Sequence, residues 1–372
     1  MIRFTEPFRT GREISAVESV LSQTNWQGGG AFTVKAETML EEILGKPALI
    51  TQSCTAALEM AAILANVTEG DEVILPSYTF VSTANAFALR GARLVFADID
   101  KSTLCVPLSE FERLRTDKTK VICTVNYGSN AQDLDGIAKF AAKEGLVFIE
   151  DAAQSIGAQY DGRPQGTFGT FGCLSFHATK NLGCGEGGAL IINDDSFKHA
   201  AEIIREKGTN RSDFMRGEVD KYTWRSLGSS YIPSEISASI LVSQLAEVKK
   251  VSAIRVSVWN TYMDALEDLT KIGVLLPEVG SKVEHNGHLF YLVTRSSREQ
   301  ARLISHARLH GITLASHYQP LHLSPMSQRL GVSATLPNTE YIAQRIVRLP
   351  IHTNLSPEDI AKVVSVVRAF FL

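Results

Sequence analysis

The stretch Leu146-Val147-Phe148-Ile149-Glu150-Asp151-Ala152-Ala153-Gln154 decides how this chain folds. A short apolar run that meets two acids and then small residues reads as a strand buried on both faces and ending on a carboxylate. Similar runs lie on either side. Ala48-Leu49-Ile50, Val73-Ile74-Leu75-Pro76, Leu94-Val95-Phe96-Ala97-Asp98 and Val121-Ile122-Cys123-Thr124-Val125 precede it. Gly172-Cys173-Leu174-Ser175-Phe176 and Gly188-Ala189-Leu190-Ile191-Ile192 follow. Helical patterns over 56–65, 80–90 and 136–144 separate them. Apolar runs alternating with helices predict an α/β fold with a large, mostly parallel seven-stranded sheet covered on both faces.

Outward from this sheet, residues 11–25 read as an amphipathic helix with Ile14, Val17, Val20 and Leu21 on one face. Residues 33–45 read as a second helix that stops at Gly45. The pattern turns helical over 194–250, interrupted by a polar and aromatic loop near 208–232. A strand at Leu289-Phe290-Tyr291-Leu292-Val293, a helix from Arg298 to His310 and a closing helix over 357–371 complete a smaller α+β unit. The expected division is a large domain over 1–244 and a small C-terminal domain over 245–372.

The 372 residues are 44% hydrophobic and 21% charged, ordinary values for a globular protein with room for two such units. A net charge of −3 gives no basic field for nucleic acid. The start, Met1-Ile2-Arg3-Phe4-Thr5-Glu6, lacks a signal-peptide core, and no apolar run is long enough to span a membrane. The five cysteines show no zinc-type CxxC spacing, and no histidine pair has metal-binding spacing. Cytoplasmic location and no metal are the expectations.

In open α/β sheets ligands bind beyond the carboxyl ends of the strands, where Asp151 is placed. Alone, such an acid is more often a cap or a solvated side chain. Lys180 changes the reading. It closes Ser175-Phe176-His177-Ala178-Thr179-Lys180, just before the glycine-rich Gly183-Cys184-Gly185-Glu186-Gly187-Gly188. A lysine that bonds the cofactor's aldehyde and an acid that keeps the pyridine nitrogen protonated are what pyridoxal 5'-phosphate requires. Gln154, three residues after the acid, could hydrogen-bond the ring hydroxyl. Ser53-Cys54-Thr55 opens a helix directly after a strand and is a ready phosphate anchor, with Ser175 as a second hydroxyl. Phe80 could stack on the ring. Two further regions could meet an anionic substrate: His317-Tyr318-Gln319-Pro320-Leu321-His322, and the basic stretch 205–225 with Tyr222 and Trp224 among its charges.

With these motifs in place, the chain resembles the DegT–StrS family of nucleotide-sugar aminotransferases, of the fold-type I (aspartate aminotransferase) class. The matching segments are Thr51 to Ala57, Gly70 to Phe80, Glu150 to Gln154, Ser175 to Lys180 and Gly185 to Gly188. The resemblance implies Lys180 as catalytic residue and proton shuttle. It implies Asp151, Gln154, Ser175, Cys54, Thr55 and Phe80 around the cofactor, with Ser230 reaching a partner's phosphate and His322, Trp224 and Tyr318 on the substrate. It also implies homodimers with active sites at the interface. Ser230 and Asn126 stand where many members carry Asn and His.

Segments Ser77 to Phe87, Arg205 to Ser212 and Val219 to Arg225 point within the family to amination of a dTDP-4-keto-6-deoxyhexose by L-glutamate. That reaction would belong to lipopolysaccharide O-antigen or enterobacterial common antigen assembly. The competing readings are a 3-keto sugar aminotransferase, a pyridoxamine-dependent dehydratase, which would carry His in place of Lys180, and a non-catalytic regulatory protein on the same fold.

Overall fold

The computed structural model describes residues 1–372. Helix α1 (Glu13–Leu21) and helix α2 (Ala31–Leu44) lead in, and Gly45 ends α2 in the left-handed region (φ 66°) that glycine adopts without strain. Strand β1 (Ala48–Thr51) then runs into helix α3 (Cys54–Leu64), whose first turn is capped by Ser53, the Ala56 N–H donating to its Oγ at 3.1 Å. Strand β2 (Glu72–Pro76), helix α4 (Val81–Ala88), β3 (Arg93–Ala97), β4 (Thr119–Val125) and β5 (Val147–Asp151) follow.

Short strands β6 (Gln159–Tyr160) and β7 (Arg163–Pro164) precede β8 (Phe171–Ser175) and β9 (Gly188–Ile192). The main sheet has the order β1-β9-β8-β5-β4-β2-β3. From β8 through β5, β4 and β2 to β3 the strands are parallel, and β9 is antiparallel to both β8 and β1. This is the expected seven-stranded, mostly parallel sheet. Strands β2, β5, β8 and β9 are buried along almost their whole length, as strands covered on both faces must be.

The direction of β9 matters for function. Because it runs backwards, its first residue, Gly188, pairs with Ser175 at the end of β8 and with Thr51 at the end of β1. One edge of the sheet therefore gathers the ends of β1, β2, β4, β5 and β8 together with the start of β9.

The C-terminal part builds its own core. Strand β10 (Val283–Glu284) joins β6 and β7 in a small sheet. Strand β11 (Phe290–Val293) pairs antiparallel with β12 (Ile346–Leu349). Helices Val248–Leu266, Ser297–Leu309 and Pro357–Phe371 pack around that ribbon, with Tyr262, Phe290, Leu303, Val347 and Val363 buried between them. The chain start joins this core: the Ile2 N–H donates to Gly311 O at 2.8 Å, and Ile2 packs among the same apolar residues. We propose the division 1–244 and 245–372 for the remainder, with the first residues seated on the C-terminal side.

Three details differ from the sequence reading. Helix α1 covers only Glu13–Leu21, and of its expected apolar face only Val20 is buried, while Ile14 is 76% exposed. Ile14 and Leu21 are left uncovered within a single chain. The helix Val248–Leu266 was not anticipated, although Val248, Val251, Val258, Trp259, Tyr262 and Leu266 recur at helical spacing. Strand β12 was also not anticipated, because four residues with an arginine among them give too short an alternation to read.

Phe290 is fully buried against Trp259 and Tyr262, at ring centroid separations of 5.5 and 5.3 Å. Phe290→Ala should lower unfolding free energy by about 3–5 kcal/mol in denaturant titration, whereas Leu309→Ala, 86% exposed, should stay within about 0.5 kcal/mol.

Candidate active site

A cavity of about 700 Å³ opens at the carboxyl edge of the sheet. Asp151 is the last residue of β5, and its carboxylate accepts from Thr83 Oγ1 at 2.7 Å and from the Ala153 N–H at 3.2 Å. Thr83 comes from α4, so the helix that follows β2 fixes the orientation of the acid on β5. Burial pushes the Asp151 pKa up, and the Thr83 and Ala153 hydrogen bonds and Lys180 oppose it. No ion pair satisfies this carboxylate within the chain.

Lys180 sits at the tip of an extension of the β8–β9 hairpin. Phe176 N–H donates to Gly187 O and Ala178 N–H to Gly185 O, and the Lys180 N–H closes a turn on His177 O. The side chain is half-buried, and its open part faces the cavity. Burial lowers the Lys180 pKa; Cys54 and Asp151 oppose the shift and Arg348 adds to it. A lysine in such a place holds a larger fraction of neutral, nucleophilic amine than a surface lysine does.

The start of α3 forms part of the cavity wall. Helix α3 starts at the cavity wall, and Ser53, Cys54, Thr55, Ser82 and Ser175 all line it. Thr55 Oγ1 and Ser82 Oγ lie 2.7 Å apart. Gly188 makes this possible: a Cβ there would overlap the backbone of Ser53 and Cys54. The glycine lets β9 touch the start of α3, so that the free N–H groups of the first helical turn point at the cavity.

Gln154 also lines the cavity. Its Oε1 accepts from the Gly128 N–H at 2.6 Å, which turns Nε2 outward, 3.3 Å from Tyr318 OH. Phe80, the residue before α4, lines the cavity at its mouth, 57% exposed, with its ring centroid 6.5 Å from that of Tyr318.

The structure therefore brings Cys54, Thr55, Phe80, Asp151, Gln154, Ser175, Lys180 and Tyr318 to one cavity. Three expected residues are not there. His322 is buried behind the wall, its Nδ1 2.7 Å from Ser77 Oγ and its Nε2 3.4 Å from Glu340. The 317–322 segment is pinned to the end of β2 by Leu321 and His322 N–H groups bonding to Ser77, so His317 and Tyr318 face the cavity and His322 faces the core. The substrate contact expected of His322 is thus corrected. Trp224 is 73% exposed, its indole N–H donating to Ser226 O. Ser230 is exposed, with its carbonyl held by Gln52 Nε2 at 2.8 Å. Neither lines the cavity of its own chain.

The C-terminal part supplies residues that sequence reasoning missed. Arg255, His288 and Arg348 line the same cavity, beside His317 of the expected 317–322 segment. The signal was faint: Arg255 interrupts an apolar helix face and Arg348 interrupts an apolar strand. The Nδ1 of His288 lies 2.9 Å from Asn181 Oδ1, and that of His317 lies 2.9 Å from Tyr127 OH. The one His/Asp/Glu cluster tight enough for a metal, His199, Glu202 and Asp213, lies outside the cavity, and Arg216 bridges its two acids.

Comparison with known proteins agrees with this geometry. The model of the DegT/DnrJ/EryC1/StrS aminotransferase family matches residues 8–368. The chain belongs to that family. An uncharacterized protein of Methanocaldococcus jannaschii is 32% identical, covering 99% of this chain and 98% of its own length. The aminotransferase TlmJ of Streptoalloteichus hindustanus superposes with a TM-score of 0.91 at 29% identity, covering 100% of this chain and 98% of its own. The putative sugar aminotransferase Spr1654 of Streptococcus pneumoniae, in its PMP form, gives 0.91 at 26% identity, covering 100% and 99%. The aminotransferases of this family are PLP-dependent. The cavity fits the cofactor: a glycine-cleared helix start for its phosphate, an ion-pair-free buried acid for its ring nitrogen and a desolvated lysine between them.

Two outcomes test the site. Gly188→Ala should fold but retain pyridoxal phosphate at least about tenfold more weakly in equilibrium dialysis, because its methyl group displaces the start of α3. The second concerns pH. Burial, together with the charges of Lys180 and Arg348, pushes the His288 pKa well down and the His317 pKa to about 2. Unfolded, both histidines take protons below about pH 6.5. The unfolded chain then binds more protons, so each lowers folding stability as pH falls below that value, by at most about 1.4 kcal/mol per pH unit. His317→Gln should flatten the decline measured by urea denaturation from pH 6.5 to 5; a slope equal to wild type refutes the assignment.

Proposed function

We propose that the protein transfers an amino group from L-glutamate to a dTDP-linked 4-keto-6-deoxyhexose, giving the 4-amino-4,6-dideoxy sugar of galacto configuration. It would thus act as a dTDP-4-amino-4,6-dideoxygalactose transaminase. The observation that carries the chemistry is the half-buried Lys180 facing the same cavity as the buried Asp151. The sugar rests on the segments Ser77 to Phe87, Arg205 to Ser212 and Val219 to Arg225.

When bound, the cofactor supplies an electron-accepting ring that carries the amino group between the two substrates. The chain's own residues do the rest. Asp151 holds a proton on the ring nitrogen, and Thr83 keeps the carboxylate aimed there. Gln154 Nε2 would donate to the ring hydroxyl. The first turn of α3, with Cys54 and Thr55, would hold the phosphate together with Ser175, and Phe80 would stack on the ring. Lys180 Nζ moves the proton to and from the reacting carbon in both half-reactions. Tyr318 stands beside the substrate space.

We propose a homodimer in which Trp224 and Ser230 reach the partner's cavity. The exposure of Ile14, Leu21, Trp26, Phe80, Val81, Trp224 and Leu227 supports this reading, since so many large apolar side chains are rarely left to solvent.

Lys180→Ala should lose the absorbance band of the lysine-linked cofactor and slow turnover by about 10³-fold or more. Normal turnover by the variant would sink the mechanism. Incubating wild type with L-glutamate and a panel of dTDP- and UDP-linked keto sugars, then assigning the product by NMR, tests the sugar. Amination at C3 would replace this reading with that of a 3-keto sugar aminotransferase.

A further inference from the structure

Lys180 stands on a loop tip that its own backbone holds poorly. The extension of the β8–β9 hairpin is laddered as far as Ala178, whose N–H donates to Gly185 O at 2.9 Å. Beyond it the Lys180 N–H reaches only His177 O, and the N–H groups of Asn181, Leu182 and Gly183 donate to no backbone carbonyl. Thr179 bonds only His177, in the same loop. Leu182 adds apolar packing, which has no direction. The hydrogen bonds that leave the tip come from one side chain. Asn181, 4% exposed, donates from Nδ2 to Asn286 O at 3.1 Å and places Oδ1 2.9 Å from His288 Nδ1. A carbonyl can only accept, so the amide has one orientation, and its oxygen then takes the proton of His288 Nδ1–H. Asn286 is a firm anchor. It is fully buried, its N–H donates to Ser129 Oγ at 3.1 Å, and its Nδ2 donates to Gln154 O and Ile156 O, both at 2.9 Å. The lysine tip is therefore tied, through two residues of the C-terminal part, to the backbone of Gln154, three positions after Asp151.

We propose that Asn181 is a positioning residue for Lys180, fixing the reach and direction of the lysine with Asn286 O and the His288 ring as its template. This rests on the reading of Lys180 as the cofactor lysine and goes beyond it by naming what aims that lysine. A lysine side chain is a flexible four-carbon stem with little direction of its own, so its aim depends on where its backbone stands. A displacement of about 1 Å at a reacting group can cost about 10²-fold in rate. Removing the Asn181 amide leaves Asn286 O and His288 Nδ1 without their partners and frees the tip to shift, while the packing of Leu182 keeps the loop folded. If Asn181 only filled space, its loss would weaken the fold and the whole site alike.

The test separates lysine chemistry from cofactor binding. Pyridoxamine phosphate fits the same site but has no aldehyde for a lysine to bond, so its affinity reports the site alone. In equilibrium dialysis, Asn181→Ala should bind it within about twofold of wild type. The rate at which cofactor-free protein and pyridoxal phosphate form the lysine-linked absorbance band should fall about tenfold or more. With L-glutamate, kcat should fall by a similar factor while KM changes little, and C2-deuterated L-glutamate should show a larger isotope effect than with wild type, because proton transfer by Lys180 is slowed. His288→Asn, whose amide can still donate to Asn181, should keep more of the band-formation rate than His288→Leu. That pair leaves Asn181 in place, so it carries the test if Asn181→Ala does not fold. Band formation at the wild-type rate in Asn181→Ala overturns the proposal. So does an equal loss of pyridoxamine phosphate affinity and of band formation, which would make Asn181 a packing residue, and so do equal rates in the two His288 variants. A wild type that forms no lysine-linked band sinks the cofactor reading itself; a wild type that forms it, with lysine chemistry indifferent to Asn181, sinks only this assignment.

Discussion

The close approach of β9 to the start of α3 is the constraint on which the site depends. Two backbones meet there with no side chain between them, because position 188 is glycine. Once they meet, the first turn of α3 must leave its N–H groups facing the cavity. The hairpin from β8 to β9 must then carry Lys180 past that turn toward Asp151. The start of α3, Lys180 and Asp151 are thus placed by one steric fact acting on a sheet in which a single strand runs backwards.

The electrostatics follow from the same arrangement. Asp151 and Lys180 are both pressed toward their neutral forms by burial, and neither is relieved by an ion pair within the chain. Such a state is expensive for an empty protein and inexpensive for one that holds a protonated pyridine ring and an aldehyde. On the C-terminal wall, Arg255 and Arg348 likewise line the cavity without an acid partner within the chain. A site that is under-neutralised at both ends is shaped by what it binds rather than by its own packing.

The division of labour between the two parts of the chain is also physical. The large sheet supplies rigid strand ends for the cofactor, where small errors in position are costly. The C-terminal part reaches in with β12, the helix Val248–Leu266 and the 286–289 turn to supply Arg348, Arg255 and His288. The chain start, packed on that part, contributes Phe4 beneath Arg348.

The sequence alone determined the sheet, because strands buried on both faces must be apolar throughout and helices between them must repeat every three to four residues. It also picked out the candidate residues that lie next to a strand end or a helix start and line the cavity, such as Asp151, Ser53 to Thr55 and Lys180, since local geometry sets their direction. Only the tertiary structure decided what depends on distant packing. It turned His322 into the core while leaving Tyr318 on the cavity, because Ser77 anchors the segment between them. It brought Arg255 and Arg348, 93 positions apart, onto one wall. It left Ile14, Trp224 and Ser230 facing outward, a fate that a single chain's periodicity cannot distinguish from burial. Short-range patterns fix which face a residue occupies on its own element; which neighbour that face meets is set by contacts between elements that the sequence keeps far apart.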